Sequence, residues 1–128
     1  MRGGLDPRFL KGIDEFNRGL YFECHETLEE IWLEEHGEDR EFYQGIIQIA
    51  AGYLKWEQGV MRGAIKLWRA GLAKIDVYPA HHLGVDLAVF AEVVRKNLEE
   101  IEATCRAGGD LPPITVPVLT LADGASLG

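Results

Sequence analysis

The chain has 128 residues, 47% of them hydrophobic and 27% charged, which suits one globular domain with its own core and is too little for two ordinary domains. Its 13 basic and 21 acidic residues give a formal net charge of -8, a field that repels phosphate backbones and argues against a nucleic-acid partner. No run approaches the roughly 18 apolar residues of a membrane-spanning helix, and MRGGLDPRF lacks the apolar core of a secretory signal, so the expectation is a cytoplasmic protein with no membrane partner.

From Arg8 to about Ala107 the apolar positions recur at helical spacing, separated by short breaks, and no convincing alternating strand is visible. The first helix follows the Asp6-Pro7 start signal and ends at Gly19, where glycine suits a left-handed helix terminus. The second covers about residues 21–35 and stops at His36-Gly37. A third opens at EDREFYQ and continues to about Gln58, and a fourth carries Ala64, Leu67, Trp68, Leu72 and Ile75 before Tyr78-Pro79. The segment AHHLG reads as a solvated polar hinge, His81 and His82 included. The fifth helix then places Leu87, Phe90, Val94, Leu98 and Ile101 on one face before Gly108-Gly109. Residues 109–128 hold three prolines and little periodicity, so they read as an extended tail that either straps over the body or is disordered.

Residues 9–32 align with residues 49–72 at an offset of 40. Gly12 then matches Gly52, Phe16 matches Trp56, Gly19 matches Gly59, Cys24 matches Ala64 and Leu28 matches Trp68. Each unit is a helix, a glycine turn and a second helix with a small residue four positions before a large one. That resembles the Ala-x3-Phe feature of tetratricopeptide repeats, although the offset exceeds their usual ~34 residues. The third helix is apolar nearly all round, which predicts a central position, and Gly45, Gly52 and Gly59, seven apart, predict close approach of a neighbouring helix. Cys24 and Cys105 form no CxxC and read as reduced thiols, with Trp56 and Trp68 in the core.

The stretch YFECHETLEEIW sets a histidine among carboxylates. At about 100° per residue, His25 and Glu29 border the Cys24, Leu28 and Ile31 stripe one turn apart, Glu26 lies further round, and Glu23, Glu30 and Glu34 face solvent. Gln44 and Gln48, also one turn apart, sit in an otherwise apolar segment, where unpaired amides are costly. A short connection makes the second and third helices neighbours, so these amides are expected to meet His25 and Glu29, with Glu26 beside them.

The pattern FNRGLYFECHETLEEIW followed by FYQGIIQIAAGY resembles the small all-helical family of uncharacterised bacterial and archaeal proteins known as domain of unknown function 309. The matching residues are Phe22 or Tyr21, Glu23, His25, Glu26, Glu29 and Trp32, then Tyr43, Gln44, Gly45, Gln48 and Ala50. The resemblance spans about residues 9–76, leaves the tail beyond 108 uncovered, and implies the helical fold without implying an activity.

Three readings of the site follow. In the first, His25, Glu29, Gln44 and Gln48 form a satisfied polar network that sets helix register. In the second, His25 and Glu29 hold a divalent metal with Glu26 as general base, a variant of the HExxH hydrolase pattern in which glutamate replaces the second histidine. In the third, Trp32, Tyr43 and Tyr53 line a pocket for a small polar or cationic ligand or a peptide. The expectation is an all-α, five-helix bundle over residues 1–108: two stacked hairpins, tetratricopeptide-like, plus a capping helix. Its expected role is a non-enzymatic module that binds a peptide, a protein or its own copy as a homodimer, without a cofactor. The alternative is a metal-dependent hydrolase or small-ligand-binding protein using His25, Glu26 and Glu29.

Overall fold

The computed structural model describes residues 5–121. Among these, five helices follow in chain order: α1 (Pro7–Asn17), α2 (Tyr21–Glu34), α3 (Arg40–Glu57), α4 (Met61–Ile75) and α5 (Leu87–Ala107). The chain is therefore the all-α bundle that its periodicity predicts. Pro7 stands at the start of α1, where its missing N–H costs nothing, and the Asp6 carboxylate caps the helix by accepting from Arg8 N at 2.8 Å. The Arg8 guanidinium also donates to Glu34 at 2.9 Å, joining the start of α1 to the end of α2. Hydrogen bonding from Arg8 holds both the Asp6 and Glu34 carboxyls below their ordinary values.

The internal repeat is present bond for bond. In the α1–α2 turn Gly19 N donates to Phe16 O and Leu20 N to Glu15 O. In the α3–α4 turn Gly59 N donates to Trp56 O and Val60 N to Lys55 O. Gly19 and Gly59 adopt φ of 77° and 78°, left-handed values that a side chain would strain. The packing repeats as well. A Cβ on Gly12 would run into the Leu28 side chain, and a Cβ on Gly52 would run into the Trp68 ring. Cys24 and Ala64, the small residues four before Leu28 and Trp68, are both fully buried.

α3 is central, as its composition predicts. Gly45 and Gly52 face α4: a Cβ at Gly45 would lie 2.6 Å from Ile75 Cγ2, and one at Gly71 would lie 2.7 Å from the Gly45 carbonyl. On the other side Phe16 sits edge-on to Tyr21, Tyr53 and Phe90 at 5.2, 5.9 and 5.5 Å, so one ring ties α1 to α2, α3 and α5. Tyr53 in turn packs at 4.7 Å from the fully buried Trp68. Trp56 is only partly buried at the edge of this core.

One segment departs from the expectation, and the tail takes one of its two expected forms. AHHLG is not a hinge but a small antiparallel hairpin, β1 (His81–His82) and β2 (Val85–Asp86), turned by Leu83 and Gly84 at φ 48° and 79°. Two successive left-handed residues match the twist of a tight hairpin, and two-residue strands are too short for alternation to register in sequence. The tail, within the described residues, straps over the body. Asn17 donates to Leu119 O at 3.0 Å and accepts from Leu119 N at 2.7 Å, Asn97 donates to Thr115 O at 3.0 Å, and Asp86 N donates to Thr120 O at 2.9 Å. Leu119 is buried beneath it, and Val85 pairs with Leu121. Residues 122–128 of the expected tail lie outside the described residues.

The seam yields a paired test. Gly71→Ala places a methyl against the Gly45 backbone and Ile49, so overpacking of about 1–3 kcal/mol exceeds the roughly 1 kcal/mol gain in helix propensity. Gly63→Ala meets only the movable Val60 and Lys55 side chains and is expected to be neutral or stabilising. Denaturant unfolding of the two variants should move the midpoint in opposite directions, or leave Gly63→Ala unchanged while Gly71→Ala falls.

Candidate functional site

α2 begins after the Gly19 turn with Glu23 in its first turn, where a carboxylate complements the helix dipole. Tyr21, Cys24, Thr27, Leu28 and Ile31 form the buried stripe. His25 and Glu29 are half-buried at its border and Glu26 is exposed beside them, the order that periodicity assigns. His25 Nδ1 lies 3.3 Å from Glu26 Oε2. One ligand atom from each of His25, Glu26 and Glu29 falls within 4.8 Å of the others. Metal–nitrogen and metal–oxygen bonds of about 2.0–2.2 Å put two ligand atoms at most about 4.3 Å apart, so these three stand near the spacing that one ion requires. An imidazole with two carboxylates suits a borderline or hard divalent cation.

The amide of Gln48 stands elsewhere. Gln48 is three residues after Gly45 and four before Gly52, so it shares the stripe of α3 that faces α4. Among the described residues no hydrogen bond joins Gln44 or Gln48 to His25, Glu26 or Glu29, and the buried Gln48 Oε1 has no hydrogen-bond partner. The expected closure of these side chains into one network is therefore not what the fold makes. A short connection makes α2 one neighbour of α3, but α4 is the other, and the glycines decide which face meets it.

The aromatic residues also have structural partners. Tyr43 is buried edge-on to Phe9 and Phe42, both at 5.6 Å, and burial pushes its phenol up to about 12. Tyr53 is fully buried and donates to Asn97 Oδ1 at 2.5 Å. Trp32 lies under the Arg40 guanidinium, 4.1 Å from its ring centre, while Arg40 Nη1 donates to Trp32 O and Glu35 O at 2.8 Å each. Trp32 thus belongs to the C-terminal cap of α2, and the two tyrosines belong to the core instead of a surface pocket.

His82 was expected in solvent. It is half-buried, with Nε2 2.6 Å from Asp39 Oδ1 and its ring 5.0 Å from Phe42 and 4.7 Å from Tyr78. Tyr78 accepts from Phe42 N at 3.0 Å and donates to Glu38 O. These residues pin the hairpin to the start of α3, a role that sequence spacing did not signal. Asn97, the other residue missed, stands out only as an amide on the apolar face of α5, one turn from Val94 and Ile101. His81 remains exposed.

Over residues 9–67 the chain matches the model of a family described as "Domain of unknown function (DUF309)". The chain is also 31% identical over 100 residues to "Uncharacterized protein YpuF" of Bacillus subtilis (strain 168), an alignment covering 73% of this chain. The chain spans about half the length of this curated relative, the aligned part being 56% of it. Neither description names a ligand or an activity.

Cys24 is fully buried, and burial pushes its thiol up to about 12. Tyr21 is raised to about 12 by the same cause. A group whose pKa is raised on folding favours the folded state below its unfolded value and loses that contribution as pH climbs to the folded one. Stability should therefore hold at neutral pH and fall between pH about 9 and 12, as read by denaturant midpoints. In the native protein a thiol reagent should modify the half-buried Cys105 rapidly and Cys24 only on unfolding.

Proposed function

We propose that the chain, which matches this family over residues 9–67, is a non-enzymatic binding module of the helical-repeat kind. The observation that carries this reading is the contrast between the inside and the outside of the repeat. The two hairpins keep the same turn bonds and the same glycine-on-large contact, whereas outward positions at the same offset differ in charge. Glu26 and Glu29 on α2 correspond to Lys66 and Arg69 on α4. A scaffold held constant beneath divergent outer faces is how stacked helical repeats present binding surfaces, tetratricopeptide repeats among them. A photo-crosslinking residue at Ala73, exposed on α4, is expected to capture discrete protein adducts in the source cell. Adducts no different from those of an unrelated acidic helical protein would remove the reading.

A second reading is favoured by the convergence of His25, Glu26 and Glu29. In it His25 and Glu29 grip a divalent cation across one helical turn and Glu26 completes the donor set. Such an ion, when bound, supplies Lewis-acid activation of a water. The expected outcome is stoichiometric metal in protein purified without chelator, lost on His25→Ala or Glu29→Gln. Metal-free protein that takes up neither zinc nor manganese in calorimetry removes it.

A further inference from the structure

α4 and α5 enclose a groove of about 690 Å³. Arg62, Lys66, Arg69 and Arg106 rim it and Ile65 and Cys105 lie along its floor, so four basic side chains face one acidic one, Glu102. Arg69 is paired to Glu102, and among the described residues no ion pair takes up Arg62, Lys66 or Arg106. In a chain of net charge -8 this is a local reversal of the field.

The outer face of α2 is its opposite. Glu23, Glu26 and Glu30 are exposed there with Phe22 and Leu33, 56% and 61% exposed, all within about a 100° arc. Two large apolar side chains set in an acidic face are what a docking helix displays. The spacings also agree. Glu23, Glu26 and Glu30 are separated by three and four residues, and Arg69, Lys66 and Arg62, read in the opposite direction, are separated by three and four. Each row spans about 10 Å of helix.

The geometry points to a second copy of this chain as the occupant of the groove. The acidic face of α2 lies antiparallel along α4, pairing Glu26 with Lys66 and Glu30 with Arg62 and setting Glu23 beside the Arg69–Glu102 pair, and Phe22 or Leu33 reaches the apolar floor. The contact joins two different surfaces and is therefore heterologous: each copy offers an acidic face and a basic groove, and copies add head to tail. This rests on the binding-module reading and names its partner.

Sedimentation velocity over a concentration series tests it. The wild-type protein is expected to self-associate at low ionic strength and to dissociate in about 1 M salt, where screening reaches within about 3 Å. Arg62→Glu/Lys66→Glu and Glu23→Lys/Glu30→Lys should each be monomeric, with unchanged circular dichroism and melting because all four side chains are exposed. An equimolar mixture of the two variants should restore association, since each then supplies the complement of the other. A wild-type monomer at every concentration, charge-reversed variants that associate as the wild type does, or a mixture that stays monomeric would each overturn the proposal. If the crosslinker at Ala73 nevertheless captures another protein, the module reading stands and only the partner is wrong. If both experiments fail, the module reading fails too.

Discussion

Where α3 meets α4, the Gly45 carbonyl stands 2.7 Å from the place a Gly71 Cβ would occupy, and the Trp68 ring fills the space beside Gly52. Three glycines inside helices give up about 1 kcal/mol each in helix propensity, and the return is backbone approach that lets Trp68 and Ile75 bury completely. Much else hangs on that seam. It places Trp68 against Tyr53, Tyr53 within reach of Asn97 on α5, and Asn97 within reach of the Thr115 carbonyl in the strap. The groove between α4 and α5 exists because α4 is held on this side of α3.

The first hairpin solves the same problem with smaller parts. Leu28 over Gly12 does what Trp68 does over Gly52, and the turns match donor for donor. Because interior positions are constrained by contact and outer ones by solvent alone, the repeat keeps its scaffold while its surface charge inverts. That division gives the molecule an acidic flank bearing the convergent His25, Glu26 and Glu29, and a basic groove across the bundle.

Polar side chains finish the bundle where helices alone do not close it. The Asn17 amide exchanges two hydrogen bonds with Leu119 across more than a hundred residues of chain, as a strand neighbour would. His82 and Asp39 join the hairpin to the start of α3, leaving Asp39 unable to cap that helix with its side chain. Each pairing satisfies groups that would otherwise be costly to bury.

Local sequence determined the helices, the glycine turns at 19 and 59, the repeat, the central place of α3, and the sorting of α2 into a buried stripe, a His25–Glu29 border and a solvated face. All of these depend on propensity and on the 3.6-residue period, which act within a few turns of chain. The tertiary structure decided what long-range contact alone sets. Gln48 belongs to the α3 flank that turns to α4, Tyr43 and Trp32 serve the core and a helix cap, His82 is pinned, and the tail is a strap. Periodicity states the angle at which a side chain leaves its helix. Which neighbour stands at that angle depends on how closely the backbones approach, and here glycines on two different helices set that distance.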